Sequence, residues 1–135
     1  MAEGFLRHFA GDVCDVFSAG MRPSRVHPLA IRVMAEQGID ISCHTSQSVT
    51  EFLSESFDYV ITVCDNAEEN CPLWLEEGTH THLAFSDPAK VTGSVIKKLK
   101  NFREIRDQIT KIICDFFGSQ FNYFLFLSGC QIGNI

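Results

Sequence analysis

Apolar residues recur along this chain in two rhythms, and the rhythms alternate. Over residues 1–11, Phe5, Leu6 and Phe9 fall close to helical spacing and Gly11 is a natural stop, although no capping side chain opens the helix. Residues 12–19 then read as a short strand running up to Gly20. A second helix is expected over 28–37, where Leu29, Ile31, Val33 and Met34 follow Pro28 in the first turn and Gly38 comes just past the end. Residues 48–53 suit a short helix, with Ser48 as cap and Glu51 three positions on. The run Phe-Asp-Tyr-Val-Ile-Thr-Val at 57–63 is nearly all apolar or β-branched, as in a central parallel strand covered on both faces.

One or two helical turns are expected at 65–70, and a weaker strand at 80–85. Residues 94–117 form the longest helical pattern, with Leu99, Phe102, Ile105, Ile109 and Ile113 on one face and Gly118 as its stop. The final apolar run, 121–127, reads as a strand. Alternating helices and strands, with no internal repeat and no linker, predict one α/β domain over residues 1–135 built on a mostly parallel sheet.

Composition narrows the functions such a domain could carry. The chain has 135 residues, 45% of them hydrophobic and 21% charged, which suits a single globular core. Seventeen acidic against eleven basic residues give a net charge of −6, which argues against a nucleic-acid partner. No stretch approaches the ~20 apolar residues of a membrane span, and no secretory signal pattern opens the chain, so a cytoplasmic location is expected. In that reducing setting the six cysteines point to catalysis or metal binding rather than structural disulfides.

Two segments carry chemistry. In Thr62-Val63-Cys64-Asp65-Asn66-Ala67-Glu68-Glu69-Asn70-Cys71-Pro72, a strand delivers Cys64 to its C-terminal end, where α/β proteins place their sites, and Cys71 follows seven residues on. If the residues between are coiled, the two thiols cannot bond without movement, because a disulfide needs Cα atoms within ~7 Å. A redox switch, a zinc site or two unrelated buried cysteines are all open on this spacing; the zinc reading lacks a second ligand pair such as Cys-x-x-Cys. In Phe85-Ser86-Asp87-Pro88, Asp87 is a candidate general acid held on a stiff loop, or simply the residue that starts a turn. The five histidines, among them His44, His80 and His82, read as surface or hydrogen-bonded structural residues, and Arg103 and Arg106 as part of the solvated face of the long helix.

With these pieces in order, the chain resembles the thioredoxin-coupled arsenate reductases, which share the low-molecular-weight protein tyrosine phosphatase fold. The match runs through Met1-Ala-Glu-Gly, Phe17-Ser18-Ala19-Gly20, Gly38-Ile39-Asp40-Ile41-Ser42, His44-Thr45-Ser46, the double-cysteine segment, Phe85-Ser86-Asp87-Pro88-Ala89 and Phe102-Arg103-Glu104-Ile105-Arg106-Asp107. It covers about residues 1–117, leaving 118–135 as an atypical extension. The resemblance implies a three-layer α/β sandwich and reduction of arsenate to arsenite with no bound cofactor and thioredoxin as external reductant. It further implies that Cys64 is the second thiol of a three-thiol cascade, Cys71 the third, and Asp87 the proton donor. A tyrosine phosphatase of the same fold, which needs no Cys64/Cys71 pair, and a non-catalytic thiol protein are the alternatives.

The family's Cys-x5-Arg loop and the first strand before it are not found ahead of Met1, and no Cys-x5-Arg occurs elsewhere in the chain. Its potassium-site positions match in part: Glu3 and Ser18 are present, whereas residue 47 is Gln. Either the chain is a piece of a longer protein, or residues 121–127 take the central strand position in a permuted arrangement. In the second case Cys130 would approach Asp87 as a nucleophile.

Overall fold

The computed structural model describes residues 1–21, 24–63, 78–124 and 130–134, with backbone alone for 119–124 and 130–134. Five strands, β1 (Cys14–Gly20), β2 (Gln47–Ser48), β3 (Tyr59–Thr62), β4 (Thr79–His82) and β5 (Cys130–Asn134), form one sheet in the order β2-β1-β5-β3-β4. Every pairing is parallel. Strand alternation divides the apolar side chains between two faces. Cys14, Val16 and Ile61 join the larger core, whereas Phe17, Ala19 and Val60 join a smaller one.

Helices α1 (Ala2–Ala10), α2 (Pro28–Ala35) and α3 (Val95–Phe124) cover the larger core. The smaller core is closed by the 3₁₀ turn Val49–Phe52 and by Phe57, whose rings meet Phe17 edge to face. Helices, sheet and this aromatic cover make up the expected three layers.

The local signals in the sequence operate as physical chemistry requires. Ser48 and Glu51 form a reciprocal capping box at the head of the expected short helix, which is a 3₁₀ turn over Val49–Phe52. Gly38 follows α2 with φ of +74°, a conformation that a side chain would strain. At Gly4 a Cβ would lie 2.6 Å from Ile41 Cγ2, so α1 approaches its neighbours as closely as only glycine permits.

Three expectations need correction. Gly118 does not end the long helix, which runs to Phe124. One internal glycine costs only about 1 kcal/mol, too little to stop a helix already propagating from many turns upstream. Residues 121–124 are accordingly helical where a strand was expected to begin, and a strand, β5, follows at Cys130–Asn134. This strand takes the central position, pairing with β1 on one side and β3 on the other, so their inner edges are satisfied within the chain. The weak strand expected at 80–85 is Thr79–His82. The helical turns expected at 65–70 lie outside the described residues.

The third correction concerns Arg106, which is buried rather than solvated. Its Nη1 donates to the Val33 carbonyl and to Glu36 Oε2, both at 3.0 Å, and its Nε donates to Asp107 Oδ1 at 2.7 Å. Arg103 adds a two-pronged pair to the same Glu36, at 2.9 and 2.7 Å. The two arginines fasten α3 to the end of α2, beside the cleft.

Candidate functional site

A cleft of about 350 Å³ opens at the C-terminal ends of the parallel strands, the position expected of a site in a sheet of this kind. Ser18 and Ala19 from the end of β1 line it, as do Val63 just past β3, the α2 entry, residues 44–46, and the loop carrying Asp87. Phe102 forms an apolar wall, on which the His27 ring stacks at 4.7 Å.

Asp87 caps the 3₁₀ turn Pro88–Lys90, its Oδ1 accepting the Ala89 amide at 2.9 Å. The turn-starting role and the exposure of a carboxylate to the cleft are therefore both realised in one residue. Cys64 and Cys71 lie outside the described residues. Val63, the neighbour of Cys64 in the chain, lines the cleft.

The other cysteines fall elsewhere. Cys14 is buried in the core, Cys43 and Cys114 are exposed, and none of these three lines the cleft. Cys130 begins β5, level with Cys14 at the start of β1. The cleft opens at the other end of the sheet, four residues or ~13 Å along the strand at ~3.3 Å per residue. The approach of Cys130 to Asp87 expected of a permuted arrangement is thus contradicted by the register.

Glu3 is the most heavily engaged acid lining the cleft. Its Oε1 accepts from Arg7 Nε at 2.7 Å; its Oε2 accepts from Ser18 Oγ at 2.5 Å and faces His44 Nδ1 at 3.2 Å. Burial pushes this carboxyl's pKa up, but the Ser18 and Arg7 hydrogen bonds and the His44 and Arg7 charges outweigh it, leaving the pKa below the usual value. His44 thus faces an acid at the cleft rather than open solvent. His82 has the hydrogen-bonded structural role expected of it, its Nδ1 lying 2.8 Å from Thr62 Oγ1 across β3 and β4.

Arg25 was not singled out by the sequence. It lies in a stretch without periodicity, and only the fold brings it to the cleft with Asp87. The amide of its neighbour Ser24 donates to Ser46 Oγ at 3.1 Å, tying two of the lining loops together. Among the described residues no helix is long and apolar enough to cross a membrane.

The sequence model for "Low molecular weight phosphotyrosine protein phosphatase" matches residues 1–120. An arsenate reductase of Halalkalibacterium halodurans is 40% identical over 116 residues, covering 86% of this chain and 84% of that protein. One from Bacillus subtilis is 34% identical over 116 residues, with the same two coverages of 86% and 84%. Among solved structures, an arsenate reductase in the oxidized state superposes with a TM-score of 0.72 at 33% identity, covering 87% of this chain and 86% of that one. An arsenate reductase in the phosphate binding state also gives a TM-score of 0.72, at 31% identity and the same coverage of 87% and 86%.

Proposed function

Because the chain belongs to the low molecular weight phosphotyrosine protein phosphatase family, and its named relatives are arsenate reductases, we propose that it serves the reduction of arsenate to arsenite with thioredoxin as electron donor. The observation that carries this reading is the cleft itself. It gathers Asp87 and the residue preceding Cys64 at the strand ends, in a fold shared with an arsenate reductase that binds phosphate.

The reaction moves two electrons from thiols to arsenic. A thiolate attacks As(V) and displaces a hydroxyl, which leaves as water once Asp87 has supplied a proton. Cys64 attacks the sulfur of that adduct, so a disulfide forms while the S–As electron pair departs with arsenite. Cys71 then attacks Cys64, freeing the first thiol and leaving the Cys64–Cys71 disulfide, which a thioredoxin dithiol returns to two thiols. The first thiol is not assigned to a described cysteine, since none lines the cleft. The reductant and the reducing cytoplasm belong together, because a disulfide made in each cycle must be reopened in each cycle.

The test is arsenate-dependent NADPH consumption in the presence of thioredoxin and its reductase. Consumption by the wild type that Cys71→Ser abolishes is the expected result. Consumption by neither chain would overturn arsenate reduction. Hydrolysis of a phosphotyrosine peptide that is indifferent to Cys71→Ser would make the protein a phosphatase instead.

A further inference from the structure

We propose that Arg25 is the substrate-binding cation of the cleft, contributing a guanidinium to a tetrahedral oxyanion of the arsenate or phosphate class. This rests on the reading of the cleft as an oxyanion site and adds a residue to it.

The argument begins with charge. The whole chain carries −6, and the acids among the described residues lining the cleft are Glu3 and Asp87, so a dianion approaches against the field of the protein. Glu3 is compensated locally by Arg7, which is committed to it at 2.7 Å, and His44 Nδ1 faces the same carboxylate at 3.2 Å. Asp87 has only the Ala89 amide as a described partner. An incoming oxyanion therefore needs a cation that is not already spent on a carboxylate.

Arg25 is the one arginine or lysine among the described residues lining the cleft. It is exposed, and no described residue gives its guanidinium a hydrogen bond or an ion pair. The other described arginines that hold acids, Arg7, Arg103 and Arg106, sit in fixed pairs. A free guanidinium presents a planar fork of donors that matches two oxygens of a tetrahedral anion, which a lysine ammonium does not.

The setting also restrains the backbone that carries it. On one side of Arg25, Ser24 is tied to Ser46 of the facing loop. On the other, His27 caps α2 by accepting the Leu29 amide at Nδ1 and stacks on Phe102. Accepting at Nδ1 leaves a neutral His27 with its proton on Nε2. The guanidinium thus hangs from a short segment anchored at both ends, a cheaper arrangement for binding than one in a free loop.

Calorimetric titration of the full chain with inorganic phosphate tests this without any redox step. Wild type is expected to bind, and Arg25→Ala to bind about 10- to 100-fold more weakly, the range for losing a hydrogen bond to a charged group. Arg25→Lys should recover part of the loss, and Arg32→Ala, which removes an exposed charge outside the cleft lining, should bind as wild type. In arsenate turnover, Arg25→Ala should raise KM by the same factor with kcat little changed. Because Arg25 is exposed and no described residue pairs with it, thermal unfolding of the variant should match wild type.

Absent phosphate binding by wild type, undiminished binding by Arg25→Ala, or an equal loss in Arg32→Ala would each overturn the proposal. If Arg25→Ala loses phosphate affinity while no form of the chain consumes arsenate, the oxyanion site stands and the reduction reading falls.

Discussion

Removing the Arg106 guanidinium would strand the Val33 carbonyl and leave Glu36 with Arg103 alone. Arg106→Ala is expected to lower stability by roughly 1–3 kcal/mol, the cost of an orphaned buried partner, and Arg103→Ala by less, as for an exposed pair. Denaturant midpoints of the two variants check the order. Hydrogen bonding from Arg103 holds the Glu36 carboxyl at about 2, against an ordinary 4.5, with some opposition from burial and further help from the Arg103 charge and from Arg106. A carboxyl depressed on folding stabilises fully above its unfolded pKa and loses that contribution as pH falls through the folded one. Part of the acid sensitivity should therefore fall between about pH 4.5 and pH 2 and be smaller in Glu36→Gln, as followed by unfolding midpoints across that range. At this scale the turn-starting role of Asp87 was legible, because an Asp-Pro pair after a strand is a strong turn signal. Arg106 was not: alternation of charges along a helix looks the same whether a guanidinium reaches water or folds back onto a neighbouring carbonyl.

Close helix approach makes Gly4 a stringent position, since an added methyl would press on the buried side chains of Ile41 and Met34. Gly4→Ala is expected to cost about 1–3 kcal/mol through overpacking, despite alanine's better helix propensity, and thermal unfolding reads the difference. Ser48→Ala, which breaks the capping box of the 3₁₀ turn, should cost about 0.5–2 kcal/mol in the same measurement. Most elements were legible because periodicity and punctuation agreed: α1 stops at Gly11, α2 carries Pro28 at its start, and β3 lies within the β-branched run. The end of α3 was not. A continuous apolar run such as 121–127 has no period that separates helix from strand, and the helix already nucleated upstream extends through it to Phe124. The short β5 drew no notice because Cys-Gln-Ile-Gly-Asn has neither length nor a steady alternation.

For the whole molecule, the central place of β5 is the feature on which the sheet depends, since β1 and β3 meet only through it. Gly133 stands opposite both Phe17 and Val60, so Gly133→Pro would remove a backbone donor from the middle of the sheet. That variant should lose the cooperative unfolding transition by circular dichroism, and a wild-type transition would contradict the strand order. The need for a strand in this place was legible from the family resemblance, but its position was not, because pairing across a sheet is decided by contacts far apart in sequence. The same fold brings Asp87, Val63 and Arg25 to one cleft from three distant segments, a convergence that no local pattern announces.

The central claim is that Cys64 and Cys71 pass two electrons between a substrate and thioredoxin. Its most direct test is to oxidise the full chain, map its disulfides by peptide mass spectrometry, and follow NADPH consumption with thioredoxin and its reductase. The account predicts a Cys64–Cys71 linkage that is reopened at one NADPH per chain and is missing from Cys71→Ser. An oxidised chain in which these two cysteines stay unlinked, or whose linkage thioredoxin leaves intact, would contradict it.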